Sequence, residues 1–425
     1  MTIAIFLLVL FAAMTVGVPI AFALMLTALA LMVHLDFFDA QLLAQNVQAG
    51  FDSFPLLAVP FFILAGELMN AGGLSRRIID LARAFVGHIP GGLGYVAIAA
   101  SLMLASMSGS AIADTAALAT LLLPMMRKQN YPDGSSAGLI AAGGIIAPIV
   151  PPSMPMVIYG VTTNTSISKL FLSGIVPGVM MATALVLVWR RIAGREQLPV
   201  AEKTDWPHRR RVLAGSLWAL MMPVIIIGGL RMGVFTPTEA AVVAAVYALI
   251  VAVFVYRELS GRRLYGVLVD AARTTGIVMF LCGAATAASY MITLADLPNQ
   301  LADVMGPLLS QPMLFMAVVC VFLLAVGMVM DLTPTILILA PVLAPLAAKA
   351  GIDPVYFGFV FIFVGCLGLL TPPVGTVLNV VAGVGRLRME PVIRGVTPFL
   401  AVYFTMLALL ILFPSIVLAP LKLMF

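Results

Sequence analysis

Hydrophobic residues fall along this chain in long runs that recur from Ile3 to Leu418, separated by short polar segments. Runs of roughly 18 or more apolar residues read as membrane spans. Marking them predicts spans near 3–17, 19–34, 54–71, 137–160, 170–189, 213–232, 236–256, 274–293, 355–385 and 396–420. Residues 3–34 are read as two spans because Gly17-Val18-Pro19 interrupts their middle. Two further runs, 92–124 and 312–347, are broken near their centres by polar residues or Gly, and each predicts a re-entrant helical hairpin. In the first, the interruption is Ser106-Met107-Ser108-Gly109-Ser110, followed by Asp114.

Composition agrees with a polytopic integral membrane protein. Of the 425 residues, 62% are hydrophobic and 10% charged, against about 25% charged in a soluble domain. The first run lacks a cationic leader and reads as a retained span, not a cleaved signal. Cys282, Cys320 and Cys366 lie in apolar runs without CxxC spacing, as packing residues do. No basic block is interleaved with aromatic residues, so nucleic acid is not an expected partner.

Charge placement orients the chain. Segments 72–91, 125–136, 190–212, 257–273 and 386–395 carry 19 of the 23 Lys and Arg residues. The positive-inside rule makes them cytoplasmic and both termini periplasmic. The first hairpin then enters from the cytoplasm and the second from outside. Two full spans would satisfy the same charges; the polar tip inside each pair favours the hairpin.

The pattern occurs twice. Asp114 is followed by Pro124 and then Pro151-Pro152; Asp331 is followed by Pro341 and then Pro372-Pro373. "DTAALATLLLP" pairs with "DLTPTILILAP", and Pro19 occupies the place of Pro237. The expected organisation is a first repeat over 1–189, a basic linker over 190–212 long enough for a short surface helix, and a second repeat over 213–425. The repeats have opposite orientation, the signature of secondary transporters, whose sites lie near the midplane where spans are interrupted.

Those interruptions carry the candidate chemistry. A helix through Pro148, Pro151, Pro152 and Pro155 must break, and its freed carbonyls suit a hard cation that takes oxygen ligands. The tip supplies hydroxyls from Ser106, Ser108 and Ser110, and Asp114 supplies negative charge nearby. Gly327, Asp331, Thr371, Pro372, Pro373, Gly375 and Thr376 repeat the arrangement, predicting two similar cation sites. Read blandly, Ser106-xxx-Ser110 is a helix-packing spacing, the two Asp residues are helix caps, and Pro-Pro is a kink. The recurrence of all three features favours the site, because an acid at membrane depth is a functional feature by default.

Other polar residues have simpler roles. Thr236, Pro237 and Glu239 fit N-cap, N1 and N3 of a capping box. Glu67 fits either a proton carrier or a polar helix contact. His34, His88 and His208 fall at span ends or in the linker. Arg231 reads as an interfacial anchor, or as an anion attractor. Tyr159 and Asn164 follow the first break and are placed to touch a substrate. There is no GxxxxGK[ST] or HExxH, and "GSSAG" at 134–138 follows a polar loop and not the strand a nucleophile elbow needs. An enzyme is not expected.

The stretches "IVPPSMPMVIYGVTTNTSISKLFLSGIVPG", "GVFTPTEAAVVAAVYAL", "MDLTPTILILAPVLAPL" and "GLLTPPVGTVLNV" resemble the large membrane subunit of TRAP (tripartite ATP-independent periplasmic) transporters. The resemblance runs along nearly the whole chain. It implies an all-α fold like that of divalent-anion/sodium symporters, working as an elevator, and sodium-coupled import of a carboxylate such as a C4-dicarboxylate, sialic acid or keto acid. It implies two Na+ sites. One joins Ser106, Ser108 and Ser110 to the Gly144–Pro152 stretch, including Gly144, Pro148 and Pro151, with Asp114 associated. The other takes Gly327, Val329, Asp331, Thr371 and Val374. Ser108, Gly109, Ser153, Tyr159 and Thr376 are the candidate substrate contacts. The implied partners are a small four-helix membrane subunit, on a separate polypeptide, and a periplasmic substrate-binding protein. A proton-coupled carrier and a non-transporting assembly subunit are the alternatives.

Overall fold

The computed structural model describes residues 2–200 and 203–422, and among these every regular element is helical. The first repeat contains α1 (Thr2–Thr15), α2 (Ile20–His34), α3 (Ala40–Phe51), a 3-10 turn (Phe54–Leu57) leading into α4 (Ala58–Ala71), and α5 (Leu74–Val86). Then come α6 (Gly92–Ser108), α7 (Ala111–Lys128), α8 (Asp133–Gly144), α9 (Met154–Thr163) and α10 (Ile167–Arg195). The second repeat opens with α11 (Trp206–Arg231), α12 (Pro237–Ile250, continued by a π turn to Val255) and α13 (Gly261–Leu294). It goes on with α14 (Leu297–Val304), α15 (Gly306–Leu309), α16 (Pro312–Gly327), α17 (Leu332–Lys349), α18 (Pro354–Leu369), α19 (Thr376–Gly385), α20 (Met389–Leu412) and α21 (Ser415–Lys422).

Among the described residues, seven helical stretches are long and apolar enough to cross a bilayer on their own. The hairpin helices α6 and α16 are not among them: at 17 and 16 residues they fall short of the ~20 a full crossing needs. Packing between the halves is reciprocal. α7 packs on α19 and α17 on α9; α8 packs on α20 and α18 on α10; α4 packs on α12 and α2 on α13. Each exchange of equivalent helices maps one contact onto another, as two inverted repeats require. The last helix of each repeat, α10 or α20, thus rests on hairpin and broken-helix elements.

The five basic segments meet on one side of the molecule, where Arg77 of 72–91 pairs with Glu258 of 257–273. Arg209 lies 3.4 Å from His88, Arg127 donates to the Gly385 carbonyl at 2.7 Å, Ser135 bonds Glu196 at 2.9 Å, and the Gly91 amide bonds the Pro199 carbonyl. Local capping follows the side chains. Thr236 and Glu239 make the expected capping box at α12. Ser110, Ser153 and Asp353 cap α7, α9 and α18.

Several elements depart from expectation. The span 396–420 is two helices, because Phe413 leaves helical geometry before Pro414. Among its described residues the linker forms no helix of its own: α10 runs on to Arg195 and α11 starts at Trp206, while Ala201 and Glu202 lie outside the described residues. Short helices also occupy segments that carry no long apolar run. α5 buries Leu74, Ile78, Ile79 and Leu81 and leaves Arg76, Asp80 and Arg83 exposed, an interfacial pattern. Asp39 caps α3 through the amides of Gln41 and Leu42 at 2.8 and 3.0 Å.

Candidate functional site

Both interrupted spans break where the double prolines stand. Between α8 and α9 the chain leaves helical geometry over residues 145–153, and between α18 and α19 over 370–375; Pro151-Pro152 and Pro372-Pro373 are both cis. No hydrogen-bond donor among the described residues reaches the carbonyls of Val150, Pro151 or Pro152, nor those of Thr371, Pro372 or Pro373. Buried backbone oxygens are normally paired, so each break presents acceptors that want a partner.

The first hairpin tip closes on the first break. Gly109 has φ +63°, and a Cβ there would stand 2.9 Å from both the Pro152 oxygen and the Met154 nitrogen. The neighbouring serines are largely committed. Ser106 donates to the Met103 carbonyl at 2.7 Å. Ser108 donates to Asp114 Oδ1 and accepts from the Ser110 amide at 3.2 Å. Ser110 Oγ accepts from Ala113 N at 3.3 Å. Ser153 is fully buried and bridges Pro148 O, at 2.5 Å, and Met156 N; its hydroxyl holds the break together.

Two buried polar atoms remain unpartnered beside this tip, Asp114 Oδ2 and Thr115 Oγ1. Thr115 was not among the residues singled out from the sequence. Its hydroxyl lies against Gly144, where a Cβ would approach it to 1.8 Å. Gly144 therefore brings the end of α8 onto the start of α7. Its only sequence signal is an adjacent Asp-Thr pair one turn past the tip.

The second site is assembled the same way. Gly327 meets α18 backbone to backbone, a Cβ on it lying 3.1 Å from Gly368 Cα. The Gly375 amide donates to the Met328 carbonyl at 3.2 Å, so tip and break are bonded directly. Asp331 is the N-cap residue of α17, but its side chain makes no capping bond. Thr371 donates to Leu367 O at 2.6 Å. The Val374 carbonyl accepts from Asn379, and Val329 is 62% exposed, which sets these two apart from the buried Gly327. Thr376 Oγ1 is buried without a partner.

The two tips meet. A cavity of about 40 Å³ is lined by Gly109, Ser110, Ala111 and Ile112 of one hairpin, Asp331, Leu332 and Thr333 of the other, Pro148 of the first break and Met154 at the start of α9. That volume holds one ion or water, not an organic acid. Tyr159 lies along α9, its ring tilted 51° to that of Phe361 with centroids 5.5 Å apart, and faces a different, larger cavity. The proposed substrate contacts thus separate: Ser108, Gly109 and Ser153 cluster at the first tip, while Tyr159 lines that other space.

"GSSAG" has a packing role. A Cβ on Gly138 would lie 2.4 Å from Gly395 C, and one on Gly395 would lie 1.9 Å from Gly134 O. The two glycines let α8 and α20 touch.

Comparison with known proteins agrees with this architecture. Residues 7–416 match the family described as tripartite ATP-independent periplasmic transporter, DctM component. The chain is 53% identical over 422 residues, 99% of both chains, to the 2,3-diketo-L-gulonate TRAP transporter large permease protein YiaN of Escherichia coli. It is 40% identical to the sialic acid TRAP transporter large permease protein SiaM of Vibrio cholerae, covering 94% of this chain and 93% of that one. The crystal structure of the Alcanivorax borkumensis YdaH transporter shares the fold, with TM-score 0.65 over 89% of this chain and 91% of that chain at 16% identity. The relatives are transporter permease subunits and not enzymes. The chain belongs to the DctM-component family of tripartite ATP-independent periplasmic transporters.

Proposed function

We propose that this permease imports an organic acid across the inner membrane by sodium symport, with a small membrane subunit and a periplasmic binding protein as partners. The observation that carries the reading is the meeting of two hairpin tips, each beside a break with unpaired carbonyls. An unpaired oxygen costs several kcal/mol in hydrocarbon; a bound alkali ion removes that cost. At the first tip the carbonyls of Val150–Pro152, Asp114 and Thr115 would hold one ion. At the second, Thr371–Pro373 with Asp331 and Thr376 would hold another. Each ion would lock a tip on its break and so turn the helix N-termini of α7 and α9, or α17 and α19, toward the substrate carboxylate. The hairpins and broken helices, with α10 and α20 riding on them, would move as one body against α1–α5 and α11–α13. Relatives named for a diketogulonate and for sialic acid support an organic acid as cargo.

One observation also fits proton coupling: a buried carboxylate with one orphaned oxygen is satisfied by a proton as well as by a cation. Uptake by the reconstituted complex separates the two. Sodium coupling requires that uptake collapse when choline replaces sodium at constant pH. Uptake that persists in choline and follows an imposed pH gradient would establish the proton reading instead.

A further inference from the structure

A pair of adjoining cavities, of about 370 and 350 Å³, lies where α3 and α13 face α9 and α17. Thr162, Asn164, Ser289 and Thr293 line both. Each volume suits a small metabolite. The pair lies at the ends of α9, α13 and α17 remote from the basic segments, with Lys349 beyond it bonded to Asn299. Among the described residues, no Asp, Glu, Lys, Arg or His lines either cavity.

The wall has a polarity beyond being uncharged. Thr162 donates its hydroxyl proton to Ile158 O at 2.7 Å, Thr286 to Cys282 O at 3.0 Å, and Thr293 to Ser289 O at 2.9 Å. The Asn46 amide donates to Leu42 O at 2.8 Å. Those hydroxyl protons are spent on their own helices, but Asn46 keeps a second amide N–H, and the side chains of Asn164 and Ser289, which line both cavities, make no hydrogen bond among the described residues, so the wall offers donors and acceptors together. Such a wall suits hydroxyl groups, which both donate and accept. A carboxylate finds no cation here to pair with. Tyr159 adds an independent sign: fully buried, its phenol lines the second cavity and makes no hydrogen bond of good geometry.

We infer that this cleft is a binding site for the polyhydroxylated chain of a sugar acid, on the periplasmic side, which discriminates such acids from plain dicarboxylates before the carboxylate reaches the hairpin tips. The inference rests on the transport reading for its direction of entry, but not on sodium. It places part of the substrate selectivity in the permease itself.

The test uses the full complex in spheroplasts, with Cys282, Cys320 and Cys366 replaced by Ala and Ser289→Cys as the reporter. A membrane-impermeant thiol reagent added outside should label Cys at 289. D-gluconate or L-gulonate should slow the labelling about tenfold at saturation, and succinate should not. Adding Thr162→Val and Thr293→Val should abolish that protection while leaving labelling without ligand unchanged. No labelling from outside, equal protection by succinate, no protection by either sugar acid, or protection that survives both valines would each overturn the site. Running the assay in sodium and in choline separates the readings: protection in both, with uptake independent of sodium, would remove the coupling and keep the cleft.

Discussion

Gly109 and Pro152 touch through bare main chain: a side-chain carbon on the glycine would stand 2.9 Å from the proline's carbonyl oxygen. The contact fixes the first hairpin tip against the first break, and it needs both a left-handed backbone and the absence of a Cβ. Gly109→Ala should therefore leave folding largely intact but lower uptake by about tenfold or more, since the left-handed penalty alone is ~1 kcal/mol and the clash adds to it. Uptake assays beside a thermal-melting curve check this. Wild-type uptake would mean the tip is not held there.

Thr115 separates packing from ligation. If its buried, unpaired hydroxyl only fills space, Thr115→Val should be neutral or stabilising, because it removes an unsatisfied polar atom. If it is a cation ligand, the same change should raise the sodium concentration for half-maximal uptake about tenfold, ~1.4 kcal/mol of lost binding, without lowering the melting temperature. The account predicts the second outcome.

The α8–α20 contact is structural. A methyl on Gly395 would fall 1.9 Å from Gly134 O, and neither backbone has a flexible side chain to yield. Gly395→Ala should cost ~1–3 kcal/mol through overpacking and lower the melting temperature of the purified protein, whatever the sodium concentration.

Arg77 ties the two repeats at the basic side. Its guanidinium bonds Glu258 at 2.5 Å and lies 3.6 Å over the Tyr256 ring, with the two ion-pair side chains 27% and 35% exposed. Partial exposure screens the pair, so a double-mutant cycle of Arg77→Ala and Glu258→Ala should return a coupling of only ~0.5–1 kcal/mol. Arg77→Lys should lose the stacking on Tyr256 and behave nearly as Ala.

Much of this fold was legible because lipid leaves few options. Polar tips at Ser106–Ser110 and double prolines at 151–152 and 372–373 stand out against apolar surroundings, and their recurrence located the hairpins and breaks. The capping box at Thr236 was equally local. What failed to show is what needs a partner or an amphipathic face. α3, α5 and α14 carry no apolar run, so marking runs passed over them. Phe413-Pro414 sits in a run too greasy to betray its break. Gly138 and Gly395 reveal their purpose only when the fold brings α8 and α20, far apart in sequence, together. Likewise the serines looked free in the sequence, yet Ser106 and Ser153 spend their hydroxyls on nearby carbonyls, and the orphaned groups are Asp114 and Thr115.

The most direct measurement is a density map of the full complex at a resolution that shows ions, prepared once in sodium chloride and once in choline chloride. The account predicts a peak within bonding distance of the Val150–Pro152 carbonyls and another beside Thr371–Pro373, both present in sodium and absent in choline. Tips seated on their breaks with no peak at either place in sodium would contradict it.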